Sequence, residues 1–105
     1  MKKHPERGAL HAERVQLALA RELAELFRDE IADPLLEDLQ VLDVVLSRDG
    51  RHARVHVAVP TDRDADAVMS ALGRAAPFLR ASVASALSLE RTPELRFAIH
   101  PRGAT

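Results

Sequence analysis

The sequence predicts a small α+β protein in which helices cover one face of a three-stranded mixed sheet, and three observations carry that prediction. Apolar residues recur at helical spacing through a long N-terminal stretch, two runs rich in valine and leucine flank an Asp-Gly pair, and the last patterned segment alternates apolar with polar residues. With 105 residues, 47% of them hydrophobic and 30% charged, the chain suffices for one modest core. It is read as a single domain over 1–105, with flexible tails expected at 1–8 and 101–105.

In chain order, residues 9–32 place Val15, Leu19, Leu23, Leu26 and Phe27 on one stripe of a long helix. Asp33-Pro34 ends it, because the residue before a proline is pushed out of the helical region. "LQVLDVVLS" (39–47) and "HARVHVAVP" (52–60) read as strands. The second alternates Ala53, Val55, Val57 and Val59 on one face with His52, Arg54 and His56 on the other. Asp49-Gly50 between the runs predicts a tight turn and hence a β-hairpin. From Thr61 or Asp62 the chain offers an N-cap, first-turn acids and the apolar positions Val68, Met69 and Leu72, a helix expected to end near residues 73–76. Pro77 then suits the first turn of another helix, where its missing N–H is harmless, with Phe78, Val83 and Leu87 as core positions. Leu95, Phe97 and Ile99 face inward from a last strand at 94–100. The predicted order is α, β, β, α, α, β, with a joint between two helices in "ALGRAAPFLR" (71–80).

Composition narrows the function classes. With no cysteine, disulfides, a thiol nucleophile and thiolate zinc sites are excluded, which fits a reducing cytoplasm. The basic start "MKKHPERGALHAERV" leads into no apolar run, so neither a signal peptide nor a membrane anchor is expected. The net charge of -1 hides an uneven distribution: six Lys or Arg against four Glu in 1–28, four Arg against ten acids in 29–66, five Arg against two Glu in 67–105. Basic ends around an acidic middle are compatible with an anionic partner on one face, since local potential steers association more than the net sum. Ser47, Asp49 and the histidines form no set of nucleophile, base and orienter, and no Gly-rich phosphate loop is present, so catalysis is the poorest reading and no cofactor is expected. His52 and His56, about 13 Å apart along a strand, cannot share a metal ion, and no metal site is expected.

Several stretches together resemble the ribosome-binding factor A family: "ERVQLALARELAELF", "IADPLL", "VLSRDGRHARVHVAV", "LGRAAPFLR" and "RTPELRF", spread from Glu13 to Phe97. The resemblance implies a type II KH fold, whose α, β, β, α, α, β order is the one derived above. It further implies a non-enzymatic factor that binds the immature small (30S) ribosomal subunit and its 16S rRNA. Such a factor promotes late maturation and 5′-end rRNA processing, especially in the cold, as a cytoplasmic monomer that also meets ribosomal proteins. Two departures stand out. Where the family resembles an Ala-x-Gly break between its two helices, this chain has Ala75, Ala76 and Pro77; and three residues past Phe97, where the family usually has aspartate, stands His100.

The candidate nucleic-acid contacts are Arg14, Arg54, Arg74, Ala75, Pro77, Arg80 and Arg91. An arginine fork matches phosphate oxygens, and a helix starting at Pro77 would offer the free N–H groups of Phe78 and Leu79 to an anion beside Arg80. The competing reading is a solvated helix face balanced by acids such as Glu90, with Arg48 and Arg54 balanced by Asp49. Lys2, Lys3, Arg7 and Arg14 are either an RNA-touching arm or a solubilising tail. "DPLL" and "TPELRF" read first as fold signatures. The alternative of a different class is a protein-interaction module of the same fold, using the acidic middle and an exposed Val45 and binding no RNA.

Overall fold

The computed structural model describes the backbone of residues 5–102 and the side chains of residues 10–102. Helix α1 runs Pro5–Asp29 and buries Leu19, Leu23, Leu26 and Phe27 along one stripe. Glu30 and Ile31 both donate their N–H groups to the Leu26 carbonyl, closing the last turn. Asp33 then caps a 3-10 turn, Pro34–Leu36: its carboxylate accepts from Leu35 N–H at 3.0 Å, and Leu36 drops into the core.

Strands β1 (Gln40–Leu46) and β2 (His52–Val59) form the expected hairpin. A bulge between Val41 and Asp43 leaves Leu42 unpaired and half exposed, and restores the alternation that buries Val44 beside its cross-strand partner Val55. Gly50 takes φ +73° in the connecting loop, a conformation that costs glycine nothing. Strand β3 (Glu94–Pro101) lies parallel to β2, so the sheet is mixed, in the order β1-β2-β3. Helix α1 packs over β1 and α2 over β3, and the helices meet each other on that one face. Phe27 and Phe97 join edge to face across the layer, 6.5 Å between ring centroids. The class, the mixed sheet and the strand sequence are those expected.

The predicted joint between two helices is absent. Helix α2 runs unbroken from Ala65 to Leu87 with Pro77 inside it. A proline there removes one helical hydrogen bond and crowds the carbonyl four residues back, which belongs to Gly73. Gly73 is exposed, and a side chain added at it would meet nothing within 4 Å, so no neighbour packed against that side resists a small backbone shift there. Because the helical phase is never reset, Leu72, Leu79 and Val83 share the buried face, and Phe78 turns outward at 47% exposure instead of joining the core. Met69 is likewise exposed.

Of the tails expected at the termini, residues 5–8 belong to α1, Pro101 to β3, and Arg102 N–H bonds the Val59 carbonyl at 2.8 Å; residues 1–4 and 103–105 lie outside the described residues.

Candidate nucleic-acid interface

The hairpin turn, the chain before β3 and one turn of α2 converge at one end of the sheet. Ser47 organises the turn: its hydroxyl donates to Asp49 Oδ1 at 2.7 Å and accepts from His52 N–H at 3.0 Å. Asp49 also accepts from Arg51 N–H at 3.0 Å. Hydrogen bonds from the Ser47 hydroxyl and then the Arg51 amide hold the exposed Asp49 carboxyl below its ordinary value of 3.8, against some loss of hydration and with smaller help from the charges of Arg51 and His52. The Arg51 carbonyl accepts from Glu94 N–H at 2.8 Å, which seats the start of β3 beside the turn.

Arg80 reaches from α2 to the same place. Its guanidinium donates to the Thr92 carbonyl at 2.9 Å and the Pro93 carbonyl at 3.3 Å. The result is an open groove of about 460 Å³ lined by Arg51, His52, Arg80, Arg91, Thr92 and Glu94. Glu94 is its one acid, engaged by His52 at 3.4 Å and Arg96 at 3.6 Å. Past His52 the surface continues as a shallow depression of about 360 Å³ on the open sheet face, lined by Val45, Ser47, His52, Arg54, His56 and Arg96 among others, with no carboxylate in it. Arg54 and Arg96 stand directly opposite each other on β2 and β3, a like-charge pair in register. Such a pair is unfavourable by itself and is relieved by an anion.

Of the arginines picked out from the sequence, Arg80 and Arg91 are thus brought together, with Arg54 around the corner. Arg74 is not with them. It sits six residues before Arg80, turned about 120° around the helix, and faces the Asp33 carboxylate at 4.0 Å. Ala75 is half-buried against the core and Pro77 exposed mid-helix. The anion site expected at a helix start near Phe78 does not exist, since those N–H groups lie inside α2. The true N-terminus of α2 is filled by Asp64, whose Oδ1 accepts from Asp66 and Ala67 N–H groups. Arg14 is exposed on the outer side of α1, two residues from Gln16, whose side chain accepts from Leu46 N–H at 2.9 Å near the turn. Lys2 and Lys3 lie outside the described residues.

Sequence reasoning missed Arg51, which follows the Asp49-Gly50 turn, and Arg96, which lies within the "TPELRF" read as a fold signature. Only the parallel register of β3 brings Arg96 beside Arg54. It also missed the polarity of the molecule: the groove between α1 and α2 is lined by Glu22, Glu25, Asp29 and Glu30 beside Phe78, a surface that repels phosphate. Among the described residues no helix is long and apolar enough to cross a membrane.

Residues 11–102 match the family model described as ribosome-binding factor A. The chain is 44% identical over 80 residues to the ribosome-binding factor A of Heliobacterium modesticaldum, a match covering 75% of this chain and 66%, just under two thirds, of that relative. Its structure is similar to the crystal structure of ribosome-binding factor A from Thermus thermophilus, with TM-score 0.75, 33% identity, and 89% of this chain and 98% of that one covered. It also resembles a model of the Thermus thermophilus factor fitted into a cryo-EM map of a 30S complex with that factor, with TM-score 0.65, 30% identity, and coverage of 90% and 96%.

Proposed function

Because the chain belongs to the ribosome-binding factor A family, we propose that it binds the immature small (30S) ribosomal subunit through 16S rRNA and promotes its late maturation. That role includes processing of the rRNA 5′ end and matters most in the cold. It acts as a non-enzymatic, cytoplasmic, monomeric factor of KH type, without a cofactor. The observation that carries the reading is the family match across residues 11–102; the fit of a similar factor to a 30S complex supports the choice of partner.

The groove supplies the chemistry. Arg51, Arg80 and Arg91 offer fixed guanidinium donors to backbone phosphates, and Arg54 and Arg96 extend the track onto the sheet. Arg80 has a double duty, since its bonds to the Thr92 and Pro93 carbonyls hold Arg91 at the rim of the groove while its own charge remains exposed. The acidic groove between the helices directs this basic end, and not the helix layer, toward RNA.

Co-sedimentation of the purified chain with small subunits, together with gradient profiles of cells lacking it, tests the reading. Accumulated free small subunits and rRNA with an unprocessed 5′ end, worse in the cold, are expected. Normal profiles at low temperature, or failure to co-sediment, would overturn it.

A further inference from the structure

Bordering the RNA track on the open sheet face, and sharing His56 with its edge, lies a row whose chemistry the track does not use: Asp43, His56 and His100. Parallel pairing sets His56 opposite Ala98 and His100 opposite Ala58, so the histidines are diagonal neighbours on adjacent strands, within reach of each other's side chains. Their rings meet, with His56 Nδ1 2.9 Å from His100 Nε2 and the ring centroids 5.1 Å apart. On the other side, His56 Nε2 faces Asp43 Oδ1 at 4.0 Å.

We propose that His56 and His100 form a two-histidine chelate for a late first-row divalent metal ion, Cu²⁺ bound more tightly than Zn²⁺. Two imidazole nitrogens at bond lengths of about 2.0–2.1 Å and a tetrahedral angle lie about 3.3 Å apart, with ring centroids about 5.2 Å apart. The rings already stand at that centroid separation, but their nitrogens point nearly at each other, so each ring must turn by roughly 35° about its centre for the ring-to-ring hydrogen bond to become a chelate. The protons allow it. With His56 protonated on Nε2 toward Asp43, its Nδ1 accepts from His100 Nε2–H, and metal binding needs only that His100 carry its proton on Nδ1 instead. Asp43, 4.0 Å away and thus beyond hydrogen-bond distance, favours the His56 proton on Nε2 through its charge and becomes an outer carboxylate if the ring moves toward it. An imidazole pair selects copper, nickel and zinc over magnesium or calcium. Among the described residues no three His, Cys, Asp or Glu side chains could hold one ion together, so water completes the coordination and affinity falls below that of a closed site. His52, engaged by Glu94 at the far end of β2, is the internal control.

The test is titration of the full chain, in a His4→Ala, His11→Ala background that removes competing N-terminal donors, with Zn²⁺ followed by NMR and with Cu²⁺ by a binding isotherm. The His56 and His100 ring signals should shift together to 1:1 stoichiometry and return on adding a chelator. His100→Ala and His56→Ala should each lose at least tenfold in affinity, and His52→Ala none. Should His100→Ala disturb the β3 amide signals, His100→Gln takes its place. Unshifted His56 and His100 signals, or a folded position-100 variant that binds as tightly as its parent, would overturn the proposal.

Discussion

Arg80 and Arg91 are both exposed, both close to the same groove, and physically unlike. Arg80 makes two charge-assisted bonds to main-chain carbonyls, whereas Arg91 makes no hydrogen bond or ion pair among the described residues. Arg80→Ala is therefore expected to cost about 1–3 kcal/mol of stability, several degrees of Tm, and to weaken small-subunit binding as well. Arg91→Ala should leave stability within about 0.5 kcal/mol and still weaken binding. Thermal melts beside co-sedimentation separate the two; equal melts would mean that the Arg80 bonds contribute nothing. This division could not be read from the sequence, where each is simply an arginine near a proline. The carbonyls that Arg80 meets lie 12 and 13 residues away and come into reach only when α2 crosses the sheet.

Helix α2 shows both how far a sequence can be read and where it misleads. The stripe through Leu19, Leu23, Leu26 and Phe27, the turn at Asp49-Gly50 and the alternation in β2 were legible because each is local: one periodicity, one backbone conformation, one face. The interior of α2 was not, because Pro77 satisfies the chemistry of a helix start and of a tolerated interruption equally well. What decides is tertiary burial of Leu72 and Leu79 on one continuous face, with nothing packed against exposed Gly73 to resist a small backbone shift. Pro77→Ala should then restore a hydrogen bond to the Gly73 carbonyl and stabilise the protein by about 1–3 kcal/mol, and Gly73→Ala should add about 0.5–1 kcal/mol. Chemical denaturation checks both. A Pro77→Ala protein less stable than the parent would show that the chain does bend there and that the ring is built into the bend.

At the scale of the whole molecule, three described surfaces differ in charge: the turn-end groove and the sheet depression gather arginines, and the groove between the helices gathers carboxylates. A net charge of -1 conceals this, and only the segment counts hinted at it. Binding to small subunits should weaken with salt, with a slope of about -0.7 per phosphate neutralised on single strands. Replacing Arg51, Arg54, Arg91 and Arg96 together by Gln should flatten that slope by roughly two to three units. A salt-insensitive parent would favour the protein-interaction alternative. The parallel pairing of β2 with β3 has one more consequence, in the order of events as the chain is made. His52 and Val59 find their partners in Glu94 and Pro101, about 40 residues later, and only after α2 has been laid across the sheet. Until then the valine-rich β2 is an open edge with unpaired main-chain groups, the kind of edge that recruits strands from other chains. Such long-range pairing is slow to form. The hairpin and α1 can collapse early, but the central strand stays sticky until β3 has been synthesised, so nascent chains of this protein are most exposed to aggregation in the interval before β3 is available to pair.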